Sequence, residues 1–328
     1  MSGWRLRLGT RRSLLAVTQS ALVARELERR LPGLGVELVE MTTAGDRHRG
    51  DLAAVGGKGL FTAELEAGLL DGTLDLAVHS LKDLPVALPD GLTVAAYPQR
   101  ADPRDTLVSD DLTPDPAHAG AAGARGLDAL PVGAVVLTGS LRRRAQILAR
   151  RGDLEVRPIR GNVDTRLRRW RELGTPGGVV LAQAGLDRLG DRLPGPLPLH
   201  PLPPEQMLPA PGQGILALET RAGSEAEEIC RRLDDADARA AALAERRVVA
   251  AFGGDCTLPL AAWARRDGGD GGDGGELRID ALLALPDGSL LARGSATAAE
   301  PAAAADGCIA ALRADGADEV LARLRDER

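Results

Sequence analysis

The stretch LDLAVHSLKDLP, residues 74–85, joins an apolar segment to a group of chemically active side chains. Its apolar part has the character of a buried strand. Four polar residues follow within five positions: His79, Ser80, Lys82 and Asp83. In open α/β sheets the ligand crevice lies at the carboxyl ends of the strands. The stretch therefore predicts both a buried strand and a binding site at its end.

Working outward, strand-like and helix-like segments alternate. Strands are predicted at 4–9, 35–43, 74–80 and 91–98, and helices at 11–31 and, after a glycine-rich turn, up to Gly72. A second run contains strands at 133–139, 154–159, 177–185 and 212–220, and helices at 140–151 and at 162–173 with Asn162 as N-cap. Such alternation is typical of βαβ units and largely parallel sheets.

The remaining segments predict a smaller third unit and several connections. Residues 224–252 are predicted to be helical, and short antiparallel strands follow, one pair as a hairpin about Asp287-Gly288. Loops are predicted at 109–131 and 265–276, and the proline-rich residues 191–211 are predicted to form a crossing linker.

Composition limits the class of protein. The 328 residues are 44% hydrophobic and 27% charged, with a net charge of −6, which disfavours a general nucleic-acid binder. No apolar run is long enough for a membrane span, and no signal peptide is recognised, so a cytoplasmic protein is expected. Three distant cysteines predict neither a disulfide framework nor a metal site, and Cys230 and Cys308 are interpreted as buried small apolar residues.

Basic residues are distributed unusually. Of 41, only Lys58 and Lys82 are lysines. Residues 142–171 contain eleven arginines against three acids. Arginines at strand-to-helix junctions suit carboxylate or phosphate binding, which predicts two units that present anion-binding groups to one cleft. Six arginines of this segment are instead interpreted as a solvated helix face: Arg144, Arg150, Arg151, Arg168, Arg169 and Arg171.

Nine motifs, in order, are similar to those of the porphobilinogen deaminase (hydroxymethylbilane synthase) family. They are TRRSLLAVTQ, VGGKGLFTAELE, DLAVHSLKDLP, PRDTLVS, GSLRRRAQ, IRGNVDTRL, AQAGLDRLG, LPAPGQGILALE and GGDCTLPLAAWA. The resemblance extends from about residue 5 to the end and weakens beyond 265. It implies an α/β fold of three domains: two lobes like type II periplasmic binding proteins, with doubly wound, mainly parallel sheets, and a small C-terminal α+β domain with an antiparallel sheet. The expected bounds are 1–98 with 201–219, then 99–200, then 220–328.

The resemblance also implies a reaction. The family is a transferase of tetrapyrrole (porphyrin, haem) biosynthesis that condenses four porphobilinogen molecules, releases ammonia from each, and adds water to give hydroxymethylbilane. It uses a dipyrromethane cofactor joined by a thioether linkage to a cysteine, and Cys256 occupies that position. The expected partner is this small-molecule substrate, with no nucleic acid, membrane or metal, and the expected state is a monomer.

The family's functional positions map onto this chain. Asp83 matches the catalytic aspartate. Cofactor-binding positions are Cys256, Lys82, Ser13, Ser80, Ser140, Arg142, Arg143 and Lys58, and substrate-binding positions are Arg11, Arg160, Arg166, Arg188, Phe61 and Gln19. His79 is interpreted as a packed residue at the strand end.

The chain departs from the family pattern at Asp255, where glycine is usual before the cysteine, and at Gly139, where serine is usual. Two alternatives remain open: an anion-binding module without catalysis, and a nucleic-acid binder that uses the arginine-rich segment. The second lacks interleaved aromatic residues and a basic isoelectric point.

Overall fold

The first sheet is built around the strand of the opening stretch. In this computed structural model, which describes residues 4–41, 62–110, 112, 125–253, 258–266 and 275–326, the sheet has the order β2-β1-β3-β10-β4. Its strands are β1 (Trp4–Arg11), β2 (Leu34–Met41), β3 (Leu76–Ser80), β4 (Leu92–Ala96) and β10 (Leu216–Arg221). β1 pairs in parallel with β2 and β3, and β10 runs antiparallel between β3 and β4.

β3 is buried on both faces, which explains its continuous apolar run. Leu76 and Val78 pack with α1 (Leu14–Arg30), whereas Ala77 faces α2 (Ala63–Leu70). α2 ends before Gly72, which has a φ of +80°. This left-handed conformation, which glycine adopts readily, ends the helix and turns the chain toward β3. The polar end of β3 therefore emerges at the carboxyl edge of a rigid sheet.

The second sheet repeats this plan with the order β7-β6-β8-β5-β9. Its strands are β5 (Asp105–Val108), β6 (Val135–Leu137), β7 (Glu155–Arg157), β8 (Gly177–Ala182) and β9 (Leu199–Pro201), and its helices are α3 (Leu141–Arg150), α4 (Val163–Arg171) and α5 (Gln183–Leu189). β5 runs antiparallel to both neighbours, and the β6 pairings are parallel.

A three-stranded antiparallel sheet forms the third unit. It contains β11 (Leu260–Arg266), β12 (Leu277–Ala284) and β13 (Leu291–Ala298), in that order. The helices that follow β10 in the chain are α6 (Glu225–Cys230), α7 (Ala236–Ala251), α8 (Pro301–Ala314) and α9 (Ala317–Asp326). α7 and α8 share an alanine-rich core with this sheet, which accommodates the low aromatic content. The predicted α/β fold class of two mainly parallel sheets plus a small antiparallel sheet is confirmed.

Several local predictions need correction. The strand predicted over 177–185 ends at Ala182, and a helix begins at Gln183, since an apolar run alone does not separate a strand from a buried helix. The linker predicted over 191–211 contains β9, an edge strand that tolerates Pro201. The hairpin about Asp287-Gly288 is confirmed, with Gly288 at a φ of +76°.

The helix predicted over 224–252 is interrupted. α6 packs into the core of the first sheet through Ala226, Ile229 and Cys230, so this segment belongs with that sheet rather than with the third unit. Cys230 and Cys308 are buried thiols, as predicted. Among the described residues, no helix combines the length and apolar character that a membrane span requires.

The three units meet at a buried ion pair. Arg100 lies on the connection from β4 to β5, and its Nη1 is 2.6 Å from Oε1 of Glu245 on α7, whose side chain is fully buried. The same carboxylate accepts hydrogen bonds from the backbone N–H groups of Gly212 and Ala264. The Glu245 carboxylate of the third unit thus contacts both chain connections between the lobes, one at Arg100 and the other at Gly212.

Arg100→Met should destabilise the protein by about 3–5 kcal/mol, because removing one partner leaves an uncompensated buried charge. Denaturant unfolding followed by circular dichroism measures the change. The matched control is Arg247→Met, which breaks the exposed pair with Asp306 and should hardly move the unfolding midpoint. Equal effects of the two substitutions would contradict the role given to Glu245.

Candidate active site

A small cleft opens at the carboxyl end of β3. Its lining includes five of the residues singled out from the sequence: Arg11, Ser13, Gln19, Ser80 and Asp83. Arg11 ends β1, and Asp83 lies in a short 3₁₀ turn that directly follows β3. The sheet therefore brings together residues that are up to 72 positions apart along the chain.

The polar groups of this cleft are fixed by local structure. Ser13 is the N-cap of α1, and its hydroxyl accepts a hydrogen bond from the N–H of Ala16 at 3.3 Å. Gln19, one turn further along α1, donates from Nε2 to Oγ of Ser80 at 3.1 Å. The cleft thus presents a helix N-terminus, two hydroxyl groups and an amide beside an exposed carboxylate, that of Asp83.

A cation cluster, defined as Lys82, Arg142, Arg143 and Arg166, lies close to Asp83; its two adjacent arginines are buried, and Lys82 and Arg166 are half-buried. Its centre is Asp105, at the start of β5 and fully buried. Arg142 Nη1 lies 2.7 Å from Asp105 Oδ2, and Arg143 Nη2 lies 2.7 Å from Oδ1. Burial alone would raise the pKa of Asp105, but the two guanidinium groups hold it well below its usual range.

The surroundings lower the pKa values of the other two cations of the cluster, Lys82 and Arg166. Burial, with Arg143 and Arg142 nearby, lowers the pKa of Lys82 to about 8, although Asp83 and Asp105 act in the opposite direction. Burial and Arg143 lower the pKa of Arg166 to about 10, again opposed by Asp83. Asp83 is therefore electrostatically coupled to cations from both lobes, and a ligand carboxylate would relieve their mutual repulsion.

The remaining predicted residues have diverse positions. Ser140 caps α3 by accepting from the N–H of Arg143 at 3.4 Å. Arg188 is half-buried, its Nη2 donates to the carbonyl oxygen of Gly214 at 2.6 Å, and burial lowers its pKa to about 10. Arg160 is exposed at the entry to α4. Three predicted residues lie outside the described part of the chain: Lys58, Phe61 and Cys256.

Two buried residues at the site were not assigned a role from the sequence. Asp105 begins a buried strand in PRDTLVS, and an acid at such a position signals an internal cation. Gln213, in PGQG, donates to Asp105 Oδ1 at 2.9 Å. His79 is packed, as predicted, and its Nε2 lies 3.0 Å from Oε2 of the fully buried Glu219.

One arginine assigned to a solvated face is in fact internal. Arg151 is 5% exposed, and its guanidinium bonds to Asp153 and to the carbonyl oxygens of Leu127 and Leu130. The two carbonyl acceptors belong to a turn more than 20 residues away, so the periodicity of the helix did not reveal them. Arg150, Arg168, Arg169 and Arg171 are exposed, and Arg144 is half-buried.

The geometry defines a class of protein. Two α/β lobes bring arginines, a lysine, helix N-termini and an exposed aspartate close together at the boundary between them. This arrangement suits a small ligand that carries several carboxylates. Within the described residues, no group of three or more His, Cys, Asp and Glu is placed to hold a metal ion.

Comparison with known proteins is specific. Residues 6–229 match the family described as porphobilinogen deaminase, dipyromethane cofactor binding domain. Porphobilinogen deaminase of Brevibacillus brevis is 42% identical over 100% of this chain and 99% of its own length. The enzyme of that name from Acidithiobacillus ferrooxidans is 43% identical over 98% of each chain.

The periplasmic VFT2 domain of Bordetella pertussis BvgS, a solved structure, is 16% identical, with a TM-score of 0.38, over 70% of this chain and 86% of that chain. On the full-length relatives and the family match, the chain belongs to the porphobilinogen deaminase family.

Gly139, where the family resemblance implies a serine, is closely approached by backbone. A Cβ atom at Gly139 would lie 2.6 Å from the backbone oxygen of Ile159. The turn that joins β6 to α3 is therefore packed directly against the segment before Arg160.

Gly139→Ser, which restores the usual residue, should lower the stability by about 1–3 kcal/mol, because backbone must move to admit the side chain. Thermal unfolding measures the loss. Gly152→Ser is the control, since a Cβ there makes only an ordinary contact, 3.5 Å from the oxygen of Leu148. A Gly139→Ser protein as stable as the control would show that this close approach has no energetic consequence.

Proposed function

We propose that this chain is a porphobilinogen deaminase, a transferase that joins four porphobilinogen molecules with loss of ammonia and releases hydroxymethylbilane for tetrapyrrole biosynthesis. The observation that carries the proposal is the exposed carboxylate of Asp83 in a cleft of anion-binding groups, electrostatically coupled to the cation cluster. Family membership supports the same reaction.

The residues present fit the implied dipyrromethane cofactor. Its pyrroles carry carboxylate side chains, and buried guanidinium and ammonium groups are the partners that carboxylates require. Arg142, Arg143, Lys82 and the hydroxyls of Ser13, Ser80 and Ser140 would hold it, with Lys58 as a further contact, and Cys256 would anchor it through a thioether. When bound, the cofactor supplies the pyrrole to which the first substrate is joined.

Substrate recognition falls to the arginines around the cleft. Each porphobilinogen carries an acetate and a propionate, so the growing chain accumulates negative charge. We assign carboxylate binding to Arg11, Arg160, Arg166 and Arg188, with Gln19 and Phe61 as neighbouring contacts. Because burial makes Arg166 and Arg188 less well solvated, a carboxylate that pairs with either replaces little hydration and binds more strongly.

Asp83 has the catalytic role in this proposal. Loss of ammonia from porphobilinogen leaves an electron-poor azafulvene, which is positive when protonated. A carboxylate near the pyrrole N–H stabilises that charge and can accept or return a proton. Asp83 is exposed in the cleft, so its carboxylate is accessible to a bound substrate.

Asp83→Asn should lower kcat by about 10²- to 10⁴-fold, since the amide cannot offset the positive charge or move the proton. Porphobilinogen consumption measures the rate. Asp90→Asn, at an exposed position outside the cleft, is the control and should retain the wild-type rate. Wild-type turnover by Asp83→Asn would exclude the assigned role.

The denatured intact mass of the purified protein tests the cofactor and its anchor. The wild type should carry the added mass of two linked pyrroles, and Cys256→Ser should not, because only a thiolate at that position forms the thioether. Cys308→Ser, which alters a buried thiol, is the control and should keep the addition. A bare wild-type mass after incubation with porphobilinogen would favour an anion-binding module without catalysis.

A cytoplasmic location, a monomeric state and the absence of nucleic-acid binding remain predictions from the sequence.

A further inference from the structure

The turn before β10 carries Gln213 between the two lobes. Gly212 and Gly214 flank it with φ values of +76° and +89°. A Cβ at Gly212 would lie 3.0 Å from the backbone nitrogen of Lys82, and one at Gly214 would lie 2.4 Å from the oxygen of Ala101. One side of the turn thus packs against the segment of Lys82. The other side packs against Ala101, which lies on the connection from β4 to β5.

The Gln213 amide bridges groups from the two lobes. The side chain is 1% exposed. Its Nε2 donates to the carbonyl oxygen of Pro103 at 2.8 Å and to Asp105 Oδ1 at 2.9 Å, and its Oε1 lies 3.4 Å from Nζ of Lys82. Lys82 follows β3 of the first sheet, and Asp105 begins β5 of the second.

The orientation of this amide has only one solution. A backbone carbonyl and an ionised carboxylate only accept hydrogen bonds, so both require the NH₂ group. The amide oxygen must then face the ammonium group of Lys82. Asp105 in turn fixes Arg142 and Arg143, so the orientation of one amide relates the ammonium of the first lobe to the two guanidinium groups of the second.

We propose that Gln213 is a positioning residue that fixes the Lys82 ammonium relative to the Asp105–Arg142–Arg143 group, so that ligand carboxylates meet a preformed array of cations at the lobe boundary. The identity of the ligand rests on the proposed function. The contacts of Gln213 with Lys82 and Asp105 do not depend on it. A neutral acceptor suits this role, because a carboxylate in its place would compete with the ligand for Lys82.

The two lysines of the chain allow a direct test. Protein labelled with [ε-¹³C]lysine gives two side-chain signals, and Lys58→Arg assigns them. All titrations use the Cys256→Ser background, which under the proposed function does not retain the cofactor carboxylates. The groups that act on the charge of Lys82 are then Asp83, Asp105, Arg142 and Arg143, and its signal with Gln213 intact should titrate near 8. Gln213→Met removes the acceptor and should lower this pKa by about half a unit or more. Gln213→Glu adds a negative charge and should raise it by about one unit or more.

Gln206 offers a matched control in the same connection. Its Nε2 also donates to a carbonyl oxygen and a carboxylate, those of Arg125 and Asp128, at 3.0 Å each. Gln206→Met and Gln206→Glu should lower the melting temperature to a similar extent while leaving the Lys82 titration unchanged. Among folded variants, a Lys82 pKa that is the same with Gln213 intact, in Gln213→Met and in Gln213→Glu would overturn the proposal.

Cofactor loading provides a second readout, because the proposed function assigns Lys82, Arg142 and Arg143 to the cofactor carboxylates. After a fixed incubation with porphobilinogen, the fraction of Gln213→Met that carries the mass of two linked pyrroles should be several-fold lower than that of Gln206→Met. Equal loading of the two variants would overturn the positioning role. A wild-type protein that does not consume porphobilinogen would instead overturn the proposed function, and the lysine titration would still decide the role of Gln213.

Discussion

The buried carboxylate of Asp105 is the constraint on which the site depends. Two adjacent guanidinium groups on one helix repel each other, and taking both out of water is costly unless an anion lies between them. Asp105 supplies that anion from the neighbouring strand, with Gln213 completing its coordination. Without it, both guanidinium groups would be buried without a counter-charge.

One internal aspartate does not neutralise the whole cluster. Lys82 and Arg166 contribute further positive charge in poorly solvated positions. Under the proposed function this residual positive field would attract ligand carboxylates, and it acts on the exposed Asp83. The protein thus separates two uses of an acidic side chain: a buried one that fixes the cations and an exposed one that faces the ligand.

Sequence reasoning succeeded where a signal is local. The apolar run before His79 predicts β3 because both faces are buried, and Ser13 and Ser140 precede helices that they cap. It failed where the partner is distant. Asp105 lies 37 residues before Arg142, Arg151 bonds to carbonyl groups more than 20 residues away, and Gln213 meets Lys82 across 131 residues. Such contacts depend on topology, which periodicity and motifs do not encode. The resemblance to a family supplied candidate positions, but it did not reveal which arginines are already paired within the protein.

The place of β10 in the first sheet has a consequence for synthesis. This strand lies between β3 and β4, yet it is made only after the whole second sheet. On the ribosome, the first lobe therefore has an open slot until residue 221 emerges, and the second lobe can complete its own sheet earlier. The unpaired edges of β3 and β4 are exposed to aggregation during that interval. The first sheet, although its first strand is synthesised earliest, can thus be completed only after all strands of the second sheet have been made.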